Sequence, residues 1–363
     1  MADCGQSRAH RRPVTDNAGG YSLVTMADVA RVAGVSRSTV SYALSGVRPI
    51  APETRERILK AMSDLGYTPN LLAQGLAGKR TGIVSLIFPV GEQGMNTTEF
   101  EYVKGAAEQA RADGYHLLLW PMDPDDLGEM QRIVAQGLVD GILLMEVRSF
   151  DERIPVLLET GVPFVTIGRP KDANGLTFVD ADFEAMGELA VSHLVSLGHT
   201  EIGLVTHSRE SLDTGYGPMV RSWDAVAAAA SRHGISARLY PATSSLAGGR
   251  EVFGQILEES PETTGLVMIN EAATAGLLGA ATAHGWRVPE SLSIVAINTS
   301  AGSAERFMPA LTTASAEPSV MGREAAEFLT RRLRTDGADA VQWLAEPVLT
   351  LRGSTAVART TRP

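Results

Sequence analysis

The segment from Ser36 to Tyr42 holds the side chains best suited to specific chemistry in this chain. Arg37 carries a fork of N–H donors that matches the O6 and N7 acceptors of guanine, and Ser38 and Tyr42 add hydroxyls. Ser36 suits a helix cap, which puts Arg37 and Ser38 in the first turn of a short helix running to about Leu44. Tyr42 lies one turn further along the same face, while Val40, Ala43 and Leu44 form the inner face. Upstream, Thr25 and Asp28 have the spacing of a capping box, Met26, Val29 and Ala30 share an apolar face, and Gly34-Val35 makes a turn. Helix, glycine turn and short polar-faced helix describe a helix-turn-helix, whose second helix enters a DNA major groove with its first residues at the base edges. Thr25, Ser36, Thr39 and Ser41 complete the DNA-facing set. The competing reading is a generic three-helix core with solvated polar positions.

Further elements must hold that unit together. Pro52 suits the first turn of a third helix that runs to Leu65 and turns Ile58, Met62 and Leu65 inward. Thr68-Pro69 opens a fourth, short helix through Ala77, ended by Gly78. Charge separates this region from the rest. Residues 21–80 carry Arg31, Arg37, Arg48, Arg55, Arg57, Lys60, Lys79 and Arg80 against Asp28, Glu53, Glu56 and Asp64, a net of +4. Residues 1–20 add +1, so a chain of net charge −10 leaves −15 for everything beyond residue 80. A small basic module joined to a large acidic one directs phosphate to one end of the molecule.

From Thr81 the rhythm changes. Gly82–Phe88, Tyr115–Trp120, Gly141–Met145, Phe164–Ile167, Ile202–Thr206, Leu266–Ile269 and Ser293–Ile297 read as buried strands. Helical patterns such as Glu99–Asp113, Ala185–Leu197 and Ala272–His284 lie between them. Runs apolar on both faces, alternating with helices, predict parallel sheets covered by helices. The region to about Arg352 is too long for one sheet, so two similar α/β subdomains with a cleft between them are expected, with a ligand at the carboxyl ends of the strands. Arg169 follows Phe164–Ile167 and can reach that cleft, as can His207 after Ile202–Thr206. His193 and His199 flank a helix end and read as structural.

Other chemistries find no support. The sequence contains no nucleophile elbow, paired-histidine metal spacing or P-loop, so no catalytic residue, metal or cofactor is expected. The single cysteine, Cys4, allows no intramolecular disulfide. No run of about 18 uncharged apolar residues would span a membrane. Residues 1–22 lack the apolar core of a signal peptide and read as a disordered tail, which fits a cytoplasmic protein.

The run Thr25–Gly46, continued by Pro52-Glu-Thr-Arg-Glu-Arg-Ile-Leu and Leu65-Gly-Tyr-Thr-Pro-Asn70, resembles the DNA-binding head of the lactose/galactose repressor family. Leu197-Gly-His-Thr-Glu-Ile-Gly-Leu204, Ile269-Asn-Glu-Ala-Ala-Thr-Ala-Gly276 and Pro309-Ala-Leu-Thr-Thr313 resemble later signatures of the same family. The resemblance implies a helix-turn-helix head at 23–68, a hinge helix and linker at 69–80, and a core at 81–355. That core would be α/β and periplasmic-binding-protein-like, with two parallel-sheet subdomains. The N-subdomain is expected at about 81–179 and 300–325, the C-subdomain at about 180–299 and 326–355. In the hinge, Pro69-Asn-Leu-Leu-Ala-Gln-Gly-Leu76, Leu76 would be a wedge between base pairs in the minor groove, with Ala73 beside it and Asn70 near phosphate. Gln74, Gly75 and Ala51 depart from the family pattern, where an Arg, a better helix former and a Ser cap are usual.

The resemblance also implies an effector site. Asp182 matches the family's acidic position there. The ligand-binding Arg that normally precedes an aromatic by four residues is replaced by Met219, with Trp223 as the aromatic and Arg221 two residues from the expected place. Asn298 stands where an Asp often receives sugar hydroxyls, which argues against a plain sugar. A structural or surface role is the alternative for Arg169, Asp182 and Arg221. The expectation is a transcriptional repressor that binds double-stranded operator DNA as a homodimer and answers to a small-molecule effector, with no membrane partner. Leu351–Arg359 has no leucine heptads, so a tetramer through a C-terminal coiled coil is not expected. A solute-binding transport protein would leave residues 25–78 unexplained. An α/β kinase or dehydrogenase would need a phosphate-cradling glycine loop that Gly82–Val90 does not offer.

Overall fold

The computed structural model describes residues 24–45, 48–67, 80–89, 94–335 and 339–359. The chain divides into two compact units after Thr81.

The first unit contains α1 (Met26–Ala33), α2 (Arg37–Ser45) and α3 (Pro52–Leu65). Their boundaries follow local chemistry. Gly34, in the left-handed region at φ +67°, ends α1, and its N–H reaches the carbonyls of Ala30 and Arg31. Gly66, at φ +65°, ends α3 in the same way. Val29, Ala30, Ala33, Val40, Ala43, Ile58 and Ala61 make a small shared core. The start of α3 is its weak point, because Pro52 fits the first turn but Ala51 offers no capping oxygen. Ala51→Ser is expected to stabilise α3 by about 1 kcal/mol. Hydrogen exchange on the whole chain should then show α3 amides protected about fivefold more; unchanged protection would mean that solvent already caps this end well.

The second unit contains two six-stranded sheets. The strands are β1 (Ile83–Phe88), β2 (His116–Pro121), β3 (Gly141–Met145), β4 (Phe164–Ile167), β5 (Phe178–Ala181), β6 (Glu201–Thr206), β7 (Ser236–Pro241), β8 (Gly265–Met268), β9 (Ser293–Ile297), β10 (Thr312–Ser315), β11 (Gln342–Ala345) and β12 (Val348–Thr350). The orders are β11-β5-β4-β3-β1-β2 and β12-β10-β9-β8-β6-β7, two copies of one pattern. Pairing is parallel throughout except between β10 and β12. β1, β3, β4, β8 and β9 are buried nearly end to end, as strands with helices on both faces must be. The run at 115–120 departs from the expected burial. β2 is an edge strand, and Leu118 and Leu119 are 37% and 42% exposed.

The crossings between sheets also differ from expectation. After β5 the helix Phe183–Ser196 packs on Gly217–His233 in the second subdomain. β10 then stays in the second sheet, beside β9. The chain returns with the helix Pro318–Arg334, which packs on Thr97–Ala112 and on β3 and β4, and with β11, which pairs with β5. Thus 312–315 belongs to the second subdomain, and 318–345 to the first. The return helix sits unusually close to its neighbour. A Cβ on Gly105 would lie 1.9 Å from the Ser319 carbonyl oxygen, and one on Gly322 would lie 2.0 Å from that of Tyr102. Glycine at both crossing points lets the backbones meet and fixes the helix Thr97–Ala112, whose first turn faces the cleft.

Candidate functional site

Two places gather functional groups: the exposed end of α2, and the cleft where strand ends of both sheets converge.

In the head, the Thr39 N–H donates to Ser36 Oγ at 3.1 Å, which caps α2. Ser36 Oγ also lies 2.7 Å from Ser38 Oγ and 2.8 Å from Thr39 Oγ1. Ser36 and Thr39 therefore build the helix start. Arg37 and Ser38 are exposed on the first turn, and no hydrogen bond or ion pair within the described residues ties down the Arg37 guanidinium. Ser41 and Tyr42 are half-buried, and the Arg48 guanidinium lies 5.3 Å from the Tyr42 ring centre. The Thr25 hydroxyl donates to Asp28 Oδ2 at 2.7 Å, and its N–H to the same oxygen at 3.0 Å. The bonds from Thr25 first, then Arg31, hold the Asp28 carboxyl at about 2. Asn70, Ala73 and Leu76 lie outside the described residues.

In the core, a narrow inner cavity of about 60 Å³ is walled by residues that follow β3, β6, β8 and β9, among them Glu146, His207, Ile269 and Asn298. An outer chamber of about 550 Å³ shares Asn96, Glu99, Glu146, His207 and Glu271 with it. Asn298 lines the inner cavity, at φ +48°, and its Oδ1 accepts from the Tyr102 hydroxyl at 3.3 Å. Asn tolerates that left-handed backbone better than most residues. Burial pushes His207 down to about 4, so it is neutral near pH 7.

Asp182 is placed elsewhere. Its Oδ1 accepts from the Ala185 N–H at 3.0 Å and caps the helix Phe183–Ser196, and it lines neither cavity. The acid that meets the arginines is Asp180, two residues earlier. Arg221 Nη2 lies 3.1 Å from Asp180 Oδ2, its Nη1 donates to the Arg169 carbonyl at 2.9 Å, and its guanidinium sits 5.1 Å from the Phe183 ring centre. Arg169 Nε lies 3.4 Å from the same carboxylate. Burial drives the Asp180 carboxyl up to about 6, against the opposing pull of Arg221 and Arg169. Arg169 and Arg221 are therefore brought together, but as a bridge that ties the first subdomain to helix Gly217–His233. They line a separate outer pocket beside Phe150 and Lys171.

Glu146, Tyr216, Glu99 and Glu271 were not singled out by sequence. Glu146 directly follows a predicted strand, the same signal that selected Arg169, and it lies within the left-handed region at φ +56°. Arg153, fully buried and paired with Asp151 at 2.6 Å, donates to the Glu146 carbonyl at 3.0 Å and holds this turn. Burial alone would raise the Asp151 carboxyl, but the bonds and charge of Arg153 keep it below its ordinary value. Glu271 accepts from the hydroxyls of Thr98 and of Ser303, the latter at 2.7 Å, and so links the two subdomains across the cleft.

Comparison with known proteins places this architecture. Residues 25–70 match the model of the bacterial regulatory proteins of the lacI family, and residues 191–355 match a periplasmic binding protein-like domain. The HTH-type transcriptional regulator DegA of Bacillus subtilis (strain 168) is 28% identical over 336 residues, covering 91% of this chain and 98% of DegA. A solved complex of the transcriptional regulator CelR with cellobiose aligns with a TM-score of 0.68 at 26% identity, over 91% of this chain and 99% of that one. The lac repressor dimer bound to operator and an anti-inducer has the same fold, with a TM-score of 0.77 at 24% identity over 92% of this chain and 99% of that one. With a capped helix-turn-helix at one end and a two-subdomain cleft in the core, this chain belongs to the lacI family of bacterial regulatory proteins, transcriptional regulators with a DNA-binding head and an effector-binding core.

Proposed function

We propose that this protein is a repressor that binds a roughly palindromic operator as a homodimer and is controlled by an effector in the cleft between its subdomains. The carrying observation is Arg37, exposed on the first turn of α2 and unpaired among the described residues, with Ser38 beside it and Tyr42 a turn later. These three read base edges. Lys and Arg side chains of the basic head and the helix starts hold phosphates. The effector acts by preferring one arrangement of the two subdomains over the other, which couples cleft occupancy to DNA affinity. Among the described residues no helix is long and apolar enough to cross a membrane. The protein acts by binding and not by catalysis, and its DNA target places it in the cytoplasm. The test is a gel shift with DNA from upstream of its own gene. A band that survives a hundredfold excess of unrelated DNA supports the reading, with an apparent Kd that weakens steeply with salt. Equal competition by unrelated DNA would overturn it.

A further inference from the structure

We propose that the effector of this cleft carries a protonated amine, seated against the Glu146 carboxylate. The proposal rests on reading the core as an effector sensor and names the class of ligand that the sensor takes.

The argument starts from which polar groups of the cleft are already satisfied. Glu99 accepts from the Asn96 N–H at 2.9 Å and from Asn96 Nδ2 at 2.8 Å. Glu271 accepts two hydroxyls, and Asp180 faces two guanidinium groups. Glu146 differs from these. It lines both the inner cavity and the outer chamber, yet no hydrogen bond or ion pair from any described residue reaches its carboxylate. The Tyr216 hydroxyl, also on the inner cavity, is likewise without a partner. Both side chains are half-buried in the wall of the inner cavity. A carboxylate partly shielded from water and without a protein partner is costly, and the remedy is either a proton or a cation.

The surroundings select the cation. Among the described residues that line either cavity there is no Lys or Arg, and His207 is neutral. Arg169 and Arg221 are committed to Asp180, and Arg153 to Asp151 and to backbone carbonyls. The field in the cavity is therefore negative. It suits an ammonium and disfavours an anion. The described residues contain no trio of His, Cys, Asp and Glu in metal-holding geometry, so an organic cation fits better than a metal ion. The titratable groups around Glu146 are Glu99, Tyr102, Asp180, His207, Glu210, Tyr216, Glu271 and Arg153. Burial first and the Glu99 carboxylate second push Glu146 up to about 8. The ligand-free protein at pH 7 thus holds a proton there, which an arriving ammonium expels. Its affinity rises with pH up to about 8.

Thermal shift on the full chain tests this, using matched probes: glucosamine with glucose, putrescine with 1,4-butanediol, and galacturonate as the anion. Any compound that shifts the melting temperature is then tested for its effect on operator affinity. The expected result is stabilisation by an amine and not by its neutral twin. Calorimetry at pH 7 in two buffers should show proton release, and Glu146→Gln should weaken amine binding by about tenfold to a hundredfold and abolish that release. The isosteric Gln keeps the fold, and its own melting curve verifies this. Stabilisation by glucose, butanediol or galacturonate with no response to glucosamine or putrescine would overturn the proposal and leave the effector-sensing core standing. No response to any probe overturns the proposal for these amines, and unaltered operator binding throughout would count against effector control itself. An amine that binds Glu146→Gln as tightly as the parent also overturns it.

Discussion

Arg153→Met is expected to destabilise the core by about 3–5 kcal/mol, the usual cost of removing one member of a buried ion pair. Arg153 is fully buried and Asp151 nearly so, at 0% and 2% side-chain exposure. Two guanidinium contacts go to the Asp151 carboxylate, and Nη2 also reaches the Glu146 carbonyl. Met fills much of the volume but leaves the carboxylate uncompensated, with only the N–H groups of Arg148 and Arg153 to face it. For a core of this size the melting temperature should fall by on the order of 10 °C. The double variant Asp151→Leu/Arg153→Met removes both charges and should recover more than half of the loss, since buried pairs contribute little net stability over apolar replacements. Calorimetric scans of the parent and both variants decide the matter. A single variant no less stable than the double would show that the pair is not electrostatically coupled. The consequence for function is that Glu146 should lose its fixed backbone in the single variant, because the group that holds its carbonyl is gone.

Arg37→Ala should weaken operator binding by about tenfold to a hundredfold, the range of one bidentate guanine contact at 1–3 kcal/mol. The physical ground is that Arg37 is exposed and, among the described residues, uncommitted, whereas Arg31, also exposed, already pairs with Asp28 at 3.0 Å. The loss should be confined to specific DNA. Binding to unrelated DNA depends on phosphate charge and should change little beyond one fewer cation. A binding-site selection with the variant should relax the preference at one symmetric pair of positions. An unchanged consensus, with equal losses on operator and unrelated DNA, would assign Arg37 to phosphate and leave base reading to Ser38 and Tyr42.

Much of the head was legible from the residues because its determinants are local. Thr25 with Asp28, Ser36 with Thr39, and the left-handed glycines 34 and 66 act within one helical turn, so type and spacing are enough to place α1, α2 and α3. The alternation of apolar strands and helices in the core was equally readable, since burial on both faces leaves a continuous apolar run. What the residues could not reveal depends on partners distant along the chain. Thr98 meets Glu271 from 173 positions away, and Arg221 meets Asp180 from 41 away. Strand β10 carries no mark of which sheet it joins, and β2 carries none of its edge position, because pairing is decided by the neighbour and not by the strand. Asp182 and Asp180 are both acids at the end of one strand. Tertiary packing alone sends the first to cap a helix and the second to face two arginines. Glu146 is the sharpest case. Its sequence position after a strand is ordinary, and its lack of a partner among the described residues arises because the folded cleft brings the nearby arginines Arg153, Arg169 and Arg221 to other anions.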